Sequence, residues 1–170
     1  MLLRGQVDAS AVFSATAYMN LVNQKVDPDK DVRWFYYSDF GVDLYSNGVM
    51  VSAQLSKEKP QAVSGLVRAI NRAMNECAAN PGPCIDNLAK HEPLINKDIE
   101  KRRMAYTLKT LVLTPEAAEI GVGEVKDDRL TRAIKQVNDA YGLPRVPAAS
   151  EVFNRSFLPE KSSRLIKVAL

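Results

Sequence analysis

From Pro60 to Tyr141 this chain reads as one helix after another, with almost no strand for those helices to cover. Val63, Leu66, Val67, Ile70, Met74 and Cys77 recur at helical spacing behind Pro60, a residue suited to a first helical position. The turn Asn80-Pro81-Gly82-Pro83 ends that helix, and residues 84–90 give a short second one. Asn96 caps a third, running through Tyr106 towards Leu113. Thr114-Pro115-Glu116 opens a brief fourth, closed by Gly121. Asp127 caps a fifth, with Leu130, Ile134, Val137 and Tyr141 inward and Gly142 as its stop. The tail from Pro144 reads as irregular, with one apolar anchor at Phe153, Phe157 and Leu158.

All strand signal lies in the first 54 residues. Residues 7–13 alternate apolar with small or polar side chains, residues 32–37 are dense in aromatics, and residues 49–53 form a third short run. Between the first two, Ser14-Ala15-Thr16 supplies hydroxyl caps for a helix bearing Ala17, Tyr18, Leu21 and Val22, broken by Asp27-Pro28-Asp29. The expected class is therefore α/β, with few strands and many helices. Three short strands make a thin sheet, and the helices need a larger apolar surface than the chain provides, which points to a missing partner segment. No internal repeat and no low-complexity tract is present.

Composition excludes several classes. With 170 residues, 46% apolar and 25% charged, the chain is an ordinary globular one. A net charge of +3, with acids interspersed as in Asp98-Ile99-Glu100-Lys101-Arg102-Arg103, leaves no basic block, so nucleic acid is not an expected partner. No run approaches the roughly 18 apolar residues of a membrane span. Met1-Leu2-Leu3-Arg4-Gly5 reaches a charge after two apolar residues and does not read as a signal peptide. Cys77 and Cys84 flank the NPGP turn at a spacing wrong for CxxC redox or zinc chemistry, and one histidine is too few for a metal site. Two readings of the pair stand: a short disulfide stapling two helices, or two small buried thiols.

Catalytic signals are weak. His91 sits in a helix-ending loop with no nucleophile elbow anywhere, Gly121-Val122-Gly123 follows a helix and reads as a stop, and Asp127 and Asp128 suit capping. No catalytic residue, cofactor or metal is expected, and the chain is read as not an enzyme. Two places are more informative. At Phe13-Ser14-Ala15-Thr16 a strand runs into a helix start; Phe13 offers a stacking face and Ser14 and Thr16 hydrogen bonds, although a plain helix cap accounts for the same residues. The polar stretch from Asp43 through Tyr45 and Asn47 to Gly48 suits a cleft edge or hinge, or equally an ordinary strand-initiating loop.

GQVDAS at residues 5–10, then YSNGVMVSAQLSKEKPQAVSGLVRAINRA at 45–73, then IGVGEVKDDRL at 120–130 and VFNRSFLP at 152–159, together resemble the NMT1/THI5-like family of ABC transporter periplasmic solute-binding proteins. The resemblance runs through nearly the whole chain and rests on the order and spacing of these stretches. It implies the C-terminal portion of a type II periplasmic binding protein, with residues 1–44 ending the second lobe and 45–170 returning to the first. It also implies a small-molecule solute of the nitrate, sulfonate, taurine or pyrimidine type, an ABC permease as partner, and a periplasmic location. Full members are longer, so a missing N-terminal lobe, or self-association of the fragment, is expected. In sulfonate and nitrate relatives the positions matching Phe13, Ser14 and Ala15 are often an aromatic, an acid and a proline; only the aromatic remains here, so their ligand does not carry over. The pyrimidine-precursor synthase branch has a cysteine-rich motif that this sequence lacks. Ligand contacts are thus expected at Phe13, Ser14, Thr16, Asp43, Tyr45 and Asn47, the alternatives being a truncated, non-binding helical interaction module or a synthase relative.

Overall fold

The structure, a computed structural model, describes residues 1–166. Nine α-helices occur among them: α1 (Ser14–Asn23), α2 (Ala53–Glu58), α3 (Pro60–Ala79), α4 (Pro81–His91), α5 (Lys97–Thr107), α6 (Pro115–Ile120), α7 (Asp127–Tyr141), α8 (Ala149–Val152) and α9 (Lys161–Arg164). Among the described residues there is no β-strand, so the expected α/β class and its type II binding-protein sheet are corrected to an all-helical arrangement.

Each strand expectation fails for a local reason. Residues 7–12 are irregular, with no backbone hydrogen bond to another described residue, and an alternating pattern cannot form a ladder without a neighbour. The aromatic run at 32–37 gives way to a single 3-10 turn, Tyr37–Phe40, closed by Gly41 at φ 83°. Residues 49–53 lose their end to a helix. Ser52 Oγ accepts from Leu55 N–H at 3.1 Å, and this cap draws Ala53 into α2.

The helix expectations fare better. α3 starts on Pro60 as anticipated, but the NPGP turn shrinks to Asn80 alone, whose backbone is extended. Pro81 and Pro83 instead begin α4, where the first-turn N–H groups have no intrahelical partner and a proline's missing donor costs nothing. Asn96 caps α5 through bonds from Asp98 and Ile99 N–H, and α5 passes into one π-helical turn, Leu108–Val112. Thr114 caps α6 and Gly121 follows it. Lys126, not Asp127, occupies the cap of α7, leaving Asp127 and Asp128 in its first turn, where they offset the helix dipole. The tail is more ordered than expected, with α8, a 3-10 turn (Arg155–Phe157) and α9. At the start of α1, Phe13 takes the cap position and no hydroxyl bonds to it.

The chain divides into two compact units, Met1–Trp34 with Pro81–Leu111, and Phe35–Asn80 with Val112–Leu170. In the first, α5 packs against both α1 and α4. Met19 and Ile85 are its fully buried side chains, each 1% exposed. Tyr18 stacks on Tyr106 at 4.5 Å between ring centroids and on Trp34 at 6.4 Å, and Trp34 Nε1 donates to Pro28 O at 2.8 Å. In the second unit, α3 packs against α2, α9 and the Arg155–Phe157 turn, and α7 against α8. Val63, Leu130 and Ala133 are buried there, while Val137 and Tyr141, expected inward, are exposed. Only five apolar side chains are buried among the described residues. That is a small core for this length, and much apolar surface stays in water.

Candidate functional site

In the second unit, four side chains from three segments converge. Arg129, in the first turn of α7, donates from Nη2 to Asp43 Oδ1 at 2.6 Å and from Nη1 to Glu116 Oε1 at 3.2 Å. Its Cζ stands 4.1 Å from the centroid of the Tyr45 ring, within cation–π range. Tyr45 completes the ring of contacts: its hydroxyl donates to Glu116 Oε1 at 2.5 Å and accepts from Lys126 N–H at 2.9 Å. A cation in a helix's first turn opposes the dipole, and here two carboxylates offset that cost.

The electrostatics follow from burial and neighbours. Desolvation, with the bond to Glu116 as a second cause, raises the Tyr45 phenol above its usual range. Burial works against the charged form of Arg129, but Asp43 and Glu116 outweigh it and raise the guanidinium. Arg129 Nε is buried without a partner among the described residues. The cluster is a clasp: it fixes residues 43–45 to α6 and α7.

A second polar cluster lies in the same unit. Arg164 is 6% exposed, and donates to Pro159 O at 2.9 Å, Ile120 O at 3.2 Å and Glu124 Oε2 at 3.2 Å. Arg155 donates to the other oxygen of Glu124 at 2.7 Å and to Asp127 Oδ1 at 2.6 Å. Gly121, at φ 92°, lies against Arg164: a Cβ there would come within 3.0 Å of Arg164 Cβ and Nη1. These groups lock the tail onto α6 and α7.

In the first unit a shallow depression of about 440 Å³ is lined by Tyr18, Val22, Lys25, Val26, Asp27, Pro28, Asp29 and Arg102. Its acids are committed internally. Asp29 accepts from Tyr18 OH at 2.6 Å, which raises the Tyr18 phenol, and Asp27 pairs with Lys30 at 2.9 Å.

Of the six side chains expected to meet a ligand, Phe13, Ser14 and Thr16 sit together at the start of α1. Phe13 is 76% exposed, and Ser14 and Thr16 form no side-chain hydrogen bond among the described residues. Asp43 and Tyr45 are brought together, but by Arg129 and Glu116, which sequence reasoning did not single out. The signal was faint: an arginine placed against a helix dipole asks for an acidic partner, and Glu116 had been absorbed as part of a helix start. Asn47 stands exposed two residues beyond Tyr45. His91 is exposed at the end of α4. Neither Cys77 nor Cys84 is a free thiol. Among the described residues no helix is long and apolar enough to cross a membrane, and no group of His, Cys, Asp or Glu has the geometry of a metal site.

No curated protein and no solved structure matches the chain. The family model described as NMT1/THI5 like matches residues 1–83. The match takes in both ligand-facing candidates and the stretches at 5–10 and 45–73, and it stops short of 120–130 and 152–159. The matched stretch, 83 of the 170 residues, is similar to the NMT1/THI5-like family.

Proposed function

We propose that this protein is the solute-binding component of an ABC-type importer, holding a small molecule of the nitrate, sulfonate, taurine or pyrimidine type without making or breaking a bond, and passing it to a membrane permease from the periplasm. The observation that supports this reading is the family match over residues 1–83, which contains Phe13, Ser14, Thr16, Asp43, Tyr45 and Asn47. Within that set the start of α1 is the better place to look for ligand contacts. Asp43 and Tyr45 are engaged by Arg129 and Glu116, whereas the ring of Phe13 and the hydroxyls of Ser14 and Thr16 are uncommitted. An uncharged Ser14 in a helix's first turn favours an anionic group over a cationic one.

A thermal-shift screen of the protein against nitrate, alkyl sulfonates, taurine, pyrimidines and aromatic acids tests the proposal. A ligand present at a hundred times its Kd stabilises the folded state by about 2.7 kcal/mol, easily seen as a rise in Tm. Phe13→Ala and Ser14→Ala should abolish that rise while leaving the Tm of the unliganded protein nearly unchanged. If no small solute raises Tm, the solute-binding reading is abandoned. The alternative then favoured is a helical interaction module, supported by the absence of any strand among the described residues.

A further inference from the structure

Residues 42–52 run from Gly41 to the start of α2 without regular structure, and they are pinned rather than loose. Gly41 O accepts from Gln136 Nε2 at 2.7 Å, Asp43 and Tyr45 are clasped by Arg129 and Glu116, and Ser52 caps α2. Yet from residue 43 to residue 51 no backbone N–H or C=O bonds to another backbone group among the described residues. The side chains are mostly in water as well: Leu44 and Val49 are exposed, and Met50 is 94% exposed.

A fixed, apolar, extended stretch with unpaired backbone is a template for another strand. The devices that normally protect such an edge are missing from residues 43–51. They contain no lysine, no proline and one charge, Asp43, already neutralised by Arg129. We propose that this segment is a self-pairing edge, at which two copies of the chain join as antiparallel strands about a two-fold axis at Asn47. Two identical antiparallel strands related by a two-fold axis place residues of equal parity opposite each other. Centred on Asn47, Leu44 faces Met50, Tyr45 faces Val49, Ser46 faces Gly48 and Asp43 faces Val51. The inner three pairings set aliphatic on aliphatic, aromatic on β-branched and small on small; the outermost sets Asp43 beside Val51, and no like charges meet. Centring on Ser46 would oppose Leu44 to Gly48 and Tyr45 to Asn47, leaving both large side chains without an apolar partner. The choice of a second copy as occupant rests on this self-complementarity and does not depend on solute binding.

Sedimentation equilibrium of the full chain across a concentration series reads the dimer directly. Leu44→Lys and Met50→Glu each replace an exposed side chain, and each should weaken self-association by roughly tenfold or more, because each change occurs twice per dimer. An equimolar mixture of the two should recover association, since the register sets Lys against Glu. An Asn47→Cys variant carries the only free thiol in the chain, and mild oxidation should cross-link it faster than Met50→Cys, although Met50 is the more exposed position. A chain that stays monomeric at every concentration overturns the proposal. So does cross-linking at position 50 as fast as at 47, or a mixture that associates no better than its components.

Discussion

Arg129 lies over the face of Tyr45, 4.1 Å from the ring centroid, and the same guanidinium bonds Asp43 and Glu116. One side chain therefore ties the extended segment to two helices. Its own side chain is 23% exposed and that of Glu116 20%, so the Arg129–Glu116 pair works at low dielectric, while Asp43, at 51%, is largely solvated. Arg129→Met removes the cation but keeps much of the packing, and leaves Glu116 half-buried and uncompensated. We expect a loss of roughly 2–3 kcal/mol in urea unfolding, with Tyr45→Phe costing about 1 kcal/mol. Because the two share Glu116, the double variant should lose less than the sum. Additive losses would show that the clasp does not act as a unit.

The phenols of Tyr18 and Tyr45 should titrate late. The bond to Asp29 is the main cause at Tyr18, and burial at Tyr45. Both folded values are raised above the ordinary phenol value of 10.0, so the folded state holds these protons more tightly than the unfolded state. Their contribution to stability is complete below pH 10 and is lost as pH rises through the folded values. In a tyrosinate absorbance titration, Tyr18→Phe and Tyr45→Phe should each remove a step that lies above the ordinary phenol value of 10.0. Asp29→Asn should bring the Tyr18 step down. Loss of a step at or below 10.0 in either variant would contradict this.

Gly121→Ala should be among the most damaging small changes in the chain. The position adopts φ 92°, and an added Cβ meets Arg164 Cβ at 3.0 Å, so strain and collision act together. A loss of about 2 kcal/mol or more is expected in the unfolding midpoint. Arg164→Lys should not be tolerated either. It keeps the charge but cannot reach Ile120 O, Pro159 O and Glu124 at once with a planar fork. Gly48→Ala, where a Cβ meets nothing within 4 Å and φ is not positive, is the control and should be near neutral.

The helical part of the fold was legible because caps and periodicity act locally. Pro60, Asn96, Thr114 and Gly142 mark helix ends in the structure much as their residue types require. The strands were not legible, because a strand exists only where a second one pairs with it, and alternation at 7–13 or 49–53 says nothing of a partner. The NPGP turn misled because proline both ends one helix and begins the next. At the candidate site, Asp43 and Tyr45 were singled out for polarity beside a buried-looking run. What they meet, Arg129 and Glu116, lies 86 and 71 residues away in sequence, and no spacing rule reaches across that distance.

Cysteine chemistry offers a test of the compartment. Neither Cys77 nor Cys84 is a free thiol, and these are the only two cysteines in the chain. Structural disulfides persist in oxidising surroundings such as the periplasm and are rare in a reducing cytosol. A thiol-reactive dye applied in denaturant should find no thiol before reduction and two after it. Reduction should also lower Tm, since removing a native cross-link releases conformational entropy to the unfolded chain, typically worth about 2–4 kcal/mol. Protein isolated with thiols blocked at lysis separates the two compartments: oxidised cysteines at that moment fit residence outside the cytoplasmic membrane. Two dye-accessible thiols in material never exposed to reductant would contradict both the cross-linked state and the periplasmic reading that goes with it.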